Sequence, residues 1–303
     1  MATYSEGQLN RYFIQIGSPH YNEDDWVVED PLGVLRDLQM YHMATVTFDS
    51  LALHYSKHRT LSLDPDDLWE KVARRGRGGY CMEVNTVFAA VLRSLGYTLI
   101  SVGGRVKSET GYKGWNHMVN LVTIYGKRYL VDVGFGSDGP PQPVPLEHGI
   151  IFDCVAPVRG RLEYKKLEEH TDHNQRVWVY STKENEQAEW KDRYAFVEIE
   201  FFPADFEVMN LQTSTTPQSY FVQTVMCMKT ILDDPGRKRP KRAVGVLILH
   251  KDYVKRRIGD KSEILETLKT ESDRASALLR YFDINLSPEE RRGIKGLASE
   301  LRG

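Results

Sequence analysis

A cysteine stands directly behind two glycines in RGRGGYCMEVN, residues 75–85, ahead of a run whose apolar side chains recur with helical spacing. A free thiol ionises near pH ~8.5 and only the thiolate is a strong nucleophile, so chemistry at Cys81 needs a neighbour that stabilises negative sulfur. The start of a helix is one such neighbour, because its unpaired N–H groups and positive dipole end favour an anion. Gly78 and Gly79 are expected to keep the approach to sulfur open, and Arg75 and Arg77 to add positive potential. An imidazole is the second requirement. Of the nine histidines, His117 opens a strand-like run in GWNHMVNLV, and Asp132 follows in YLVDVGFG, an acid inside an otherwise apolar strand. A carboxylate there is costly unless a donor satisfies it, and an imidazole is the natural donor. Cys81, His117 and Asp132 together describe a nucleophile, a proton acceptor and an orienting acid. Taken singly each has a plainer reading: a small buried hydrophobe, a core histidine bonded to backbone, a strand acid facing solvent.

The elements that must position these groups follow from periodicity. Ser5, Asp30-Pro31 and Asp64-Pro65 are helix starts, and residues 1–95 read as a helical bundle whose best helix begins at Cys81, with Val84, Val87, Phe88, Val91, Leu92 and Leu95 on one face and Gly96 at its end. From Tyr97 the period becomes two, and residues 96–205 read as a β domain. In a hairpin turning at Gly126-Lys127, His117 and Asp132 share a face but lie four residues, ~13 Å, apart along the strands, so a bulge, wider loop or twist has to close the gap. Residues 206–303 mix strand-like SYFVQTVMCMKTIL and AVGVLILH with helical stretches that carry Ile264, Leu265, Leu268, Leu278 and Leu279, an α/β or α+β segment.

Forty basic against forty-two acidic residues leave a net charge of −2, which supplies no global attraction to nucleic acid or anionic lipid. Three widely spaced cysteines form neither a disulfide framework nor a zinc site of CxxC type, so no metal is expected. The absence of a signal-like or membrane-spanning run points to a cytoplasmic protein. The basic run GRKRPKR, residues 236–242, reads as a solvated loop.

These blocks resemble the arylamine N-acetyltransferase family. RGGYCMEVN at 77–85 is similar to its R-G-G-x-C-x-E-x-N signature, VDVGFG at 131–136 to its D-V-G-F-G segment, FDSLALHY at 48–55 to F-E-N-L-x-L-H with departures at Asp49 and Ser50, and NLQTSTTPQSYFVQ to N-x-x-x-S-T-x-P-x-S-x-F. The resemblance implies an α+β fold of three parts: an N-terminal helical bundle (1–95), a central β-barrel (96–205) and a C-terminal α/β lid (206–303), with a Cys-His-Asp triad of Cys81, His117 and Asp132. It implies ping-pong transfer of an acyl group from acyl-CoA, through a cysteine thioester, to an arylamine, arylhydrazine or arylhydroxylamine. It places Gly134, Phe135 and Gly136 beside the pantetheine arm and Thr213, Ser214 and Thr215 in a hydroxyl-bearing loop at the CoA entrance. No tightly bound cofactor is implied, and acyl-CoA and small aromatic amines are the expected partners. The likeness is greatest to fungal members, some of which use malonyl-CoA or propionyl-CoA; a malonyl carboxylate requires a cation, and Arg105, Lys107 and Lys113 precede His117.

Arg77 and Glu83 read as structural charges, paired with each other or with the loop backbone. A thiol hydrolase or transglutaminase-like enzyme shares the Cys, His, Asp order and is the alternative. A nucleic-acid-binding role for the basic run lacks an aromatic-lined basic stripe.

Overall fold

The computed structural model describes residues 2–18, 29–234 and 241–303, so the solvated-loop reading of the basic run falls, for residues 236–240, outside the described residues. The helix starts form as expected. The Ser5 hydroxyl accepts from the Gln8 amide at the head of α1 (Glu6–Ile16), and Asp30 accepts from Gly33 at the head of α2 (Pro31–Thr45). A two-residue strand, β1 (Phe48–Asp49), leads into α3 (Leu51–His54). Asp64 caps α4 (Pro65–Trp69), which continues as a π-helical turn, Glu70–Arg74. Then comes α5 (Cys81–Ser94). Its periodic face, Val84, Val87, Phe88, Val91 and Leu92, joins Tyr12 and Phe13 of α1 and Leu35 and Leu38 of α2 in one core.

The β region comprises β2 (Thr98–Ser108), β3 (Gly111–Tyr112), β4 (His117–Ile124), β5 (Lys127–Val131), β6 (Val144–Pro145), β7 (Ile151–Asp153), β8 (Arg159–Lys165), β9 (Val177–Lys183) and β10 (Lys191–Glu200). Its strands run β6-β5-β4-β2-β10-β9-β8-β7, antiparallel throughout, with β3 on β2. Each strand of that path sends residues into one apolar centre, from Val102 and Val119 through Leu130, Val144 and Phe152 to Tyr180, Tyr194 and Phe196. A flat sheet cannot do this, so the sheet curls into a barrel. Among the described residues no ladder joins β6 to β7, and the expected barrel is open along that seam.

The hairpin that matters turns one residue earlier than expected. Ile124 pairs with Lys127, so the turn residues are Tyr125 and Gly126, both with positive φ. Asn120 consequently faces Val131, which sets Asp132 across from Val119, two residues from His117 instead of four. The register itself closes most of the gap; no bulge or wide loop is needed.

Next comes α6 (Pro203–Thr215), which takes in Thr213, Ser214 and Thr215, expected in a loop. Phe206 and Met209 bury one side of it, and that packing carries the helix through a run of poor helix formers. After α7 (Tyr220–Gln223) come β11 (Met226–Leu232), β12 (Ala243–His250), β13 (Tyr253–Ile258), β14 (Lys261–Thr267), α8 (Glu271–Phe282) and α9 (Pro288–Gly293). Ile264 and Leu265, expected to be helical, lie on β14, because an apolar pair does not reveal its period. The sheet runs β1-β11-β12-β13-β14, every pair antiparallel, which makes this segment α+β and not the expected α/β alternation. Its edge strand β1 comes from the helical region: Phe48 pairs with Met228 and Asp49 with Cys227. All three cysteines are free. Among the described residues no helix is long and apolar enough to cross a membrane.

Candidate active site

Cys81 is the first residue of α5, after the extended N-cap Tyr80. The N–H groups of Cys81, Met82 and Glu83, in the first turn, have no acceptor within the helix. The turn is held by Glu83, whose Oε2 accepts from Tyr80 N–H at 3.1 Å and whose Oε1 pairs with the Lys71 ammonium. Burial raises the Glu83 carboxyl above its usual range and Lys71 counters it. Arg77 pairs instead with Glu290 at 2.8 Å and donates to the Asn285 carbonyl, and Arg75 reaches the same Glu290. The expected Arg77–Glu83 pairing is therefore replaced by two separate ones, with only the loop-backbone contact of Glu83 as anticipated. Carboxylates also offset the positive potential expected from Arg75 and Arg77.

The glycine pair works differently from expectation too. A Cβ on Gly78 would stand 1.8 Å from the Thr47 carbonyl oxygen, and one on Gly79 would stand 2.4 Å from Glu83 Oε2. The glycines let the loop lie against β1, where Asp49 N–H donates to Gly79 O and Gly79 N–H to Thr47 O.

Cys81, His117 and Asp132 are 2%, 1% and 0% exposed, so their interactions are little screened by water. His117 Nε2 lies 2.8 Å from Asp132 Oδ2. Cys81 Sγ lies 3.7 Å from the Asn116 carbonyl, the residue before His117. Burial alone would lower the His117 pKa, but the charge and hydrogen bond of Asp132, joined by those of Cys81, push it up to about 10. Burial likewise opposes ionisation of Asp132, yet His117, Asn85 and the Gly134 amide hold its carboxyl below the usual range. The arrangement stabilises an imidazolium beside the sulfur. The other deeply buried histidines do the reverse: burial lowers His42 to about 3 and His54 to about 4, and both are hydrogen-bonded within the core as neutral rings.

Three supporting groups escaped the sequence reading. Asn85 donates to Asp132 Oδ1 at 3.0 Å and to Met118 O at 2.8 Å, and accepts from Val133 N–H at 3.1 Å. Its position four residues after Cys81, on the same helix face, was a readable signal. Asn210 of α6 accepts from the Tyr80 hydroxyl and donates to Leu61 O at 2.9 Å, tying α6 to the N-cap. Lys71 has no local signal, because its partner lies across a turn.

Gly134 packs against the helix start: a Cβ there would stand 2.7 Å from Cys81 Cα and 2.7 Å from Asn85 Nδ2. The Phe135 ring is 5.1 Å from the His117 ring, and Gly136 (φ 66°) nestles against Phe48. Ser214 and Thr215 donate their hydroxyls to the carbonyls of Asn210 and Leu211, four residues back in the helix. Among the described residues the buried Thr213 hydroxyl has no partner.

A model of the N-acetyltransferase family matches residues 31–291. The N-malonyltransferase FDB2 of Fusarium pseudograminearum is 38% identical over 96% of this chain and 92% of its own length. The arylamine N-acetyltransferase of Escherichia coli is 30% identical over 74% of each chain. Among solved structures, the arylamine N-acetyltransferase of Mycobacterium abscessus superposes with a TM-score of 0.79 at 23% identity, over 95% of this chain and 93% of its own. That of Mycobacterium marinum in complex with CoA gives 0.74 at 26% identity, over 93% and 96%.

Proposed function

Since the chain belongs to the arylamine N-acetyltransferase family and is an acyltransferase, we propose that it moves an acyl group from acyl-CoA through a thioester on Cys81 to the nitrogen of an arylamine, arylhydrazine or arylhydroxylamine. The observation that carries this reading is the buried His117–Asp132 pair at 2.8 Å, set beside a sulfur at a helix start. The Cys81 thiolate attacks the thioester carbonyl, and the tetrahedral oxyanion is met by the free N–H groups of the α5 first turn. The carbon–sulfur bond to CoA breaks and CoA leaves with the proton held by His117. The amine then attacks the acyl-cysteine, His117 takes its proton, and the Cys81 thiolate is released with the amide. Asp132 keeps the imidazole oriented through both halves.

Malonyl-CoA is the proposed donor, supported by the relative named an N-malonyltransferase, with acetyl-CoA and propionyl-CoA as the smaller competitors. The neighbour solved with CoA supports the carrier. For the pantetheine arm we assign the half-exposed Phe135 beside His117 and the hydroxyl of Thr213, unpartnered among the described residues, with Gly134 and Gly136 shaping the wall and Ser214 and Thr215 next to Thr213 at the end of α6. Intact-protein mass spectrometry after mixing with malonyl-CoA tests the reading: a malonyl adduct on Cys81 that an arylamine then removes is expected. Amide hydrolysis with no adduct from any acyl-CoA would move the protein to the thiol hydrolases.

A further inference from the structure

The outer face of β2 carries a cation with unfilled hydrogen-bonding capacity. Gly103 and Arg105 point to the same side of that strand. Over Gly103 sits the Phe201 ring, filling the place where a Cβ would be. Phe201 packs on Trp115 at 5.3 Å between centroids, and the Arg105 guanidinium lies 3.9 Å from the centre of the Trp115 ring. Trp115 and Phe201 in turn border the apolar cluster that contains Cys81, Met118, Phe206 and Met209. Arg105, Trp115 and Phe201 thus form a continuous bridge from the sulfur's surroundings to a cavity of about 400 Å³ on this face, whose wall includes Arg105, Lys113 and Tyr112.

Lys113 shares this cavity wall, but the other cations named above are engaged with carboxylates. Lys71 holds Glu83, Arg75 and Arg77 hold Glu290, and Lys107 lies 3.5 Å from Glu169. Arg105 donates once, to the Lys113 carbonyl at 3.2 Å, and no carboxylate pairs with it among the described residues. A guanidinium has five N–H donors in a fork that fits a carboxylate, and a face stacked on an aromatic ring holds that fork in place.

We propose that Arg105 selects a carboxylate-bearing acyl donor, pairing with the free carboxylate of a malonyl group delivered to Cys81. This rests on the acyl-CoA reading of the site and deepens it: acetyl and propionyl groups carry nothing for the guanidinium to hold, whereas a malonyl group gains a charge-assisted, bidentate contact.

The test compares kcat/KM for malonyl-CoA and acetyl-CoA with one uncharged arylamine, so that the donor is the only source of a carboxylate. For the wild-type protein malonyl-CoA is expected to be favoured. In Arg105→Gln the malonyl-to-acetyl ratio is expected to fall at least tenfold, through KM for malonyl-CoA more than through kcat, and Arg105→Lys, which keeps the charge but loses the fork, is expected to recover part of it. A ratio unchanged in Arg105→Gln, or a wild-type preference for acetyl-CoA, overturns the assignment while leaving the transferase reading intact. Transfer from neither donor by the folded wild-type protein overturns both.

Discussion

Asn85 and Asp132 are joined by a 3.0 Å hydrogen bond from Nδ2 to Oδ1, so the helix that presents the sulfur also holds the carboxylate that orients the imidazole. The two strands of the hairpin and the head of α5 are locked together at one point. Asn85→Ala removes three buried hydrogen bonds at once. It is expected to lower stability by about 2–4 kcal/mol, since each orphaned buried group costs about 1–3 kcal/mol, and to reduce kcat more than tenfold. Urea denaturation with steady-state kinetics checks both; full activity in a destabilised Asn85→Ala protein would show that Asp132 holds its place without it.

Cys81→Ser keeps nearly the same shape but substitutes an oxygen that is almost wholly protonated at neutral pH. Transfer is expected to fall at least about a thousandfold, ~4 kcal/mol of barrier, while the melting temperature stays close to that of the wild type. Residual transfer near the wild-type rate would remove Cys81 from the nucleophile's role.

The ionic character of the His117–Asp132 pair predicts a pH signature in stability. His117 is raised from its ordinary 6.5 to about 10, so its contribution is complete below about 6.5 and declines as pH rises through 10. The Asp132 carboxyl is held below its ordinary 3.8, so its contribution is present above 3.8 and is lost as pH falls through the lowered value. The stability gap between the wild type and His117→Gln is therefore expected to be widest near pH 5–6 and to narrow towards pH 10. Guanidinium denaturation at several pH values measures it, and a gap independent of pH across that range would mean the imidazole is neutral.

Lys71 is the ammonium shared by two buried carboxylates, Glu83 by direct contact and Asp49 through its charge. Lys71→Met leaves both without it and is expected to cost about 3–5 kcal/mol, the range for breaking a buried pair from one side. Because Glu83 fixes the Tyr80 amide, thiol alkylation should also lose its selectivity for Cys81; a variant with unchanged melting temperature would show that the cluster is already protonated.

Gly134→Ala places a methyl group 2.7 Å from both Cys81 Cα and Asn85 Nδ2. The helix start has to retreat, and a loss of about 1–3 kcal/mol together with a larger fall in kcat is expected in melting and rate measurements. Wild-type kinetics in this variant would mean that the contact is compliant.

What the sequence disclosed was mostly local chemistry. Ser5, Asp30 and Asp64 announced their helices because a capping side chain acts within three residues. The meeting of His117 and Asp132 was legible because an acid in an apolar strand is costly without a donor. The register between the two was misjudged by one turn residue, since Tyr125 takes a positive φ (48°) that few non-glycine residues adopt. Thr213 to Thr215 looked like a loop because their intrinsic preference is against helix, and only tertiary burial of Phe206 and Met209 reverses it. Glu83 with Lys71, and Arg77 with Glu290, depend on which distant segments meet, information no local window contains.

The two-residue strand Phe48–Asp49 has one edge on β11 and the other on Gly79, immediately ahead of the N-cap. The cradle of Cys81 is thus a graft between chain segments translated far apart in time. A nascent polypeptide that has not yet produced β11 cannot finish it, and a nonsense codon upstream of that strand is expected to abolish the proposed chemistry although Cys81, His117 and Asp132 have all been synthesised.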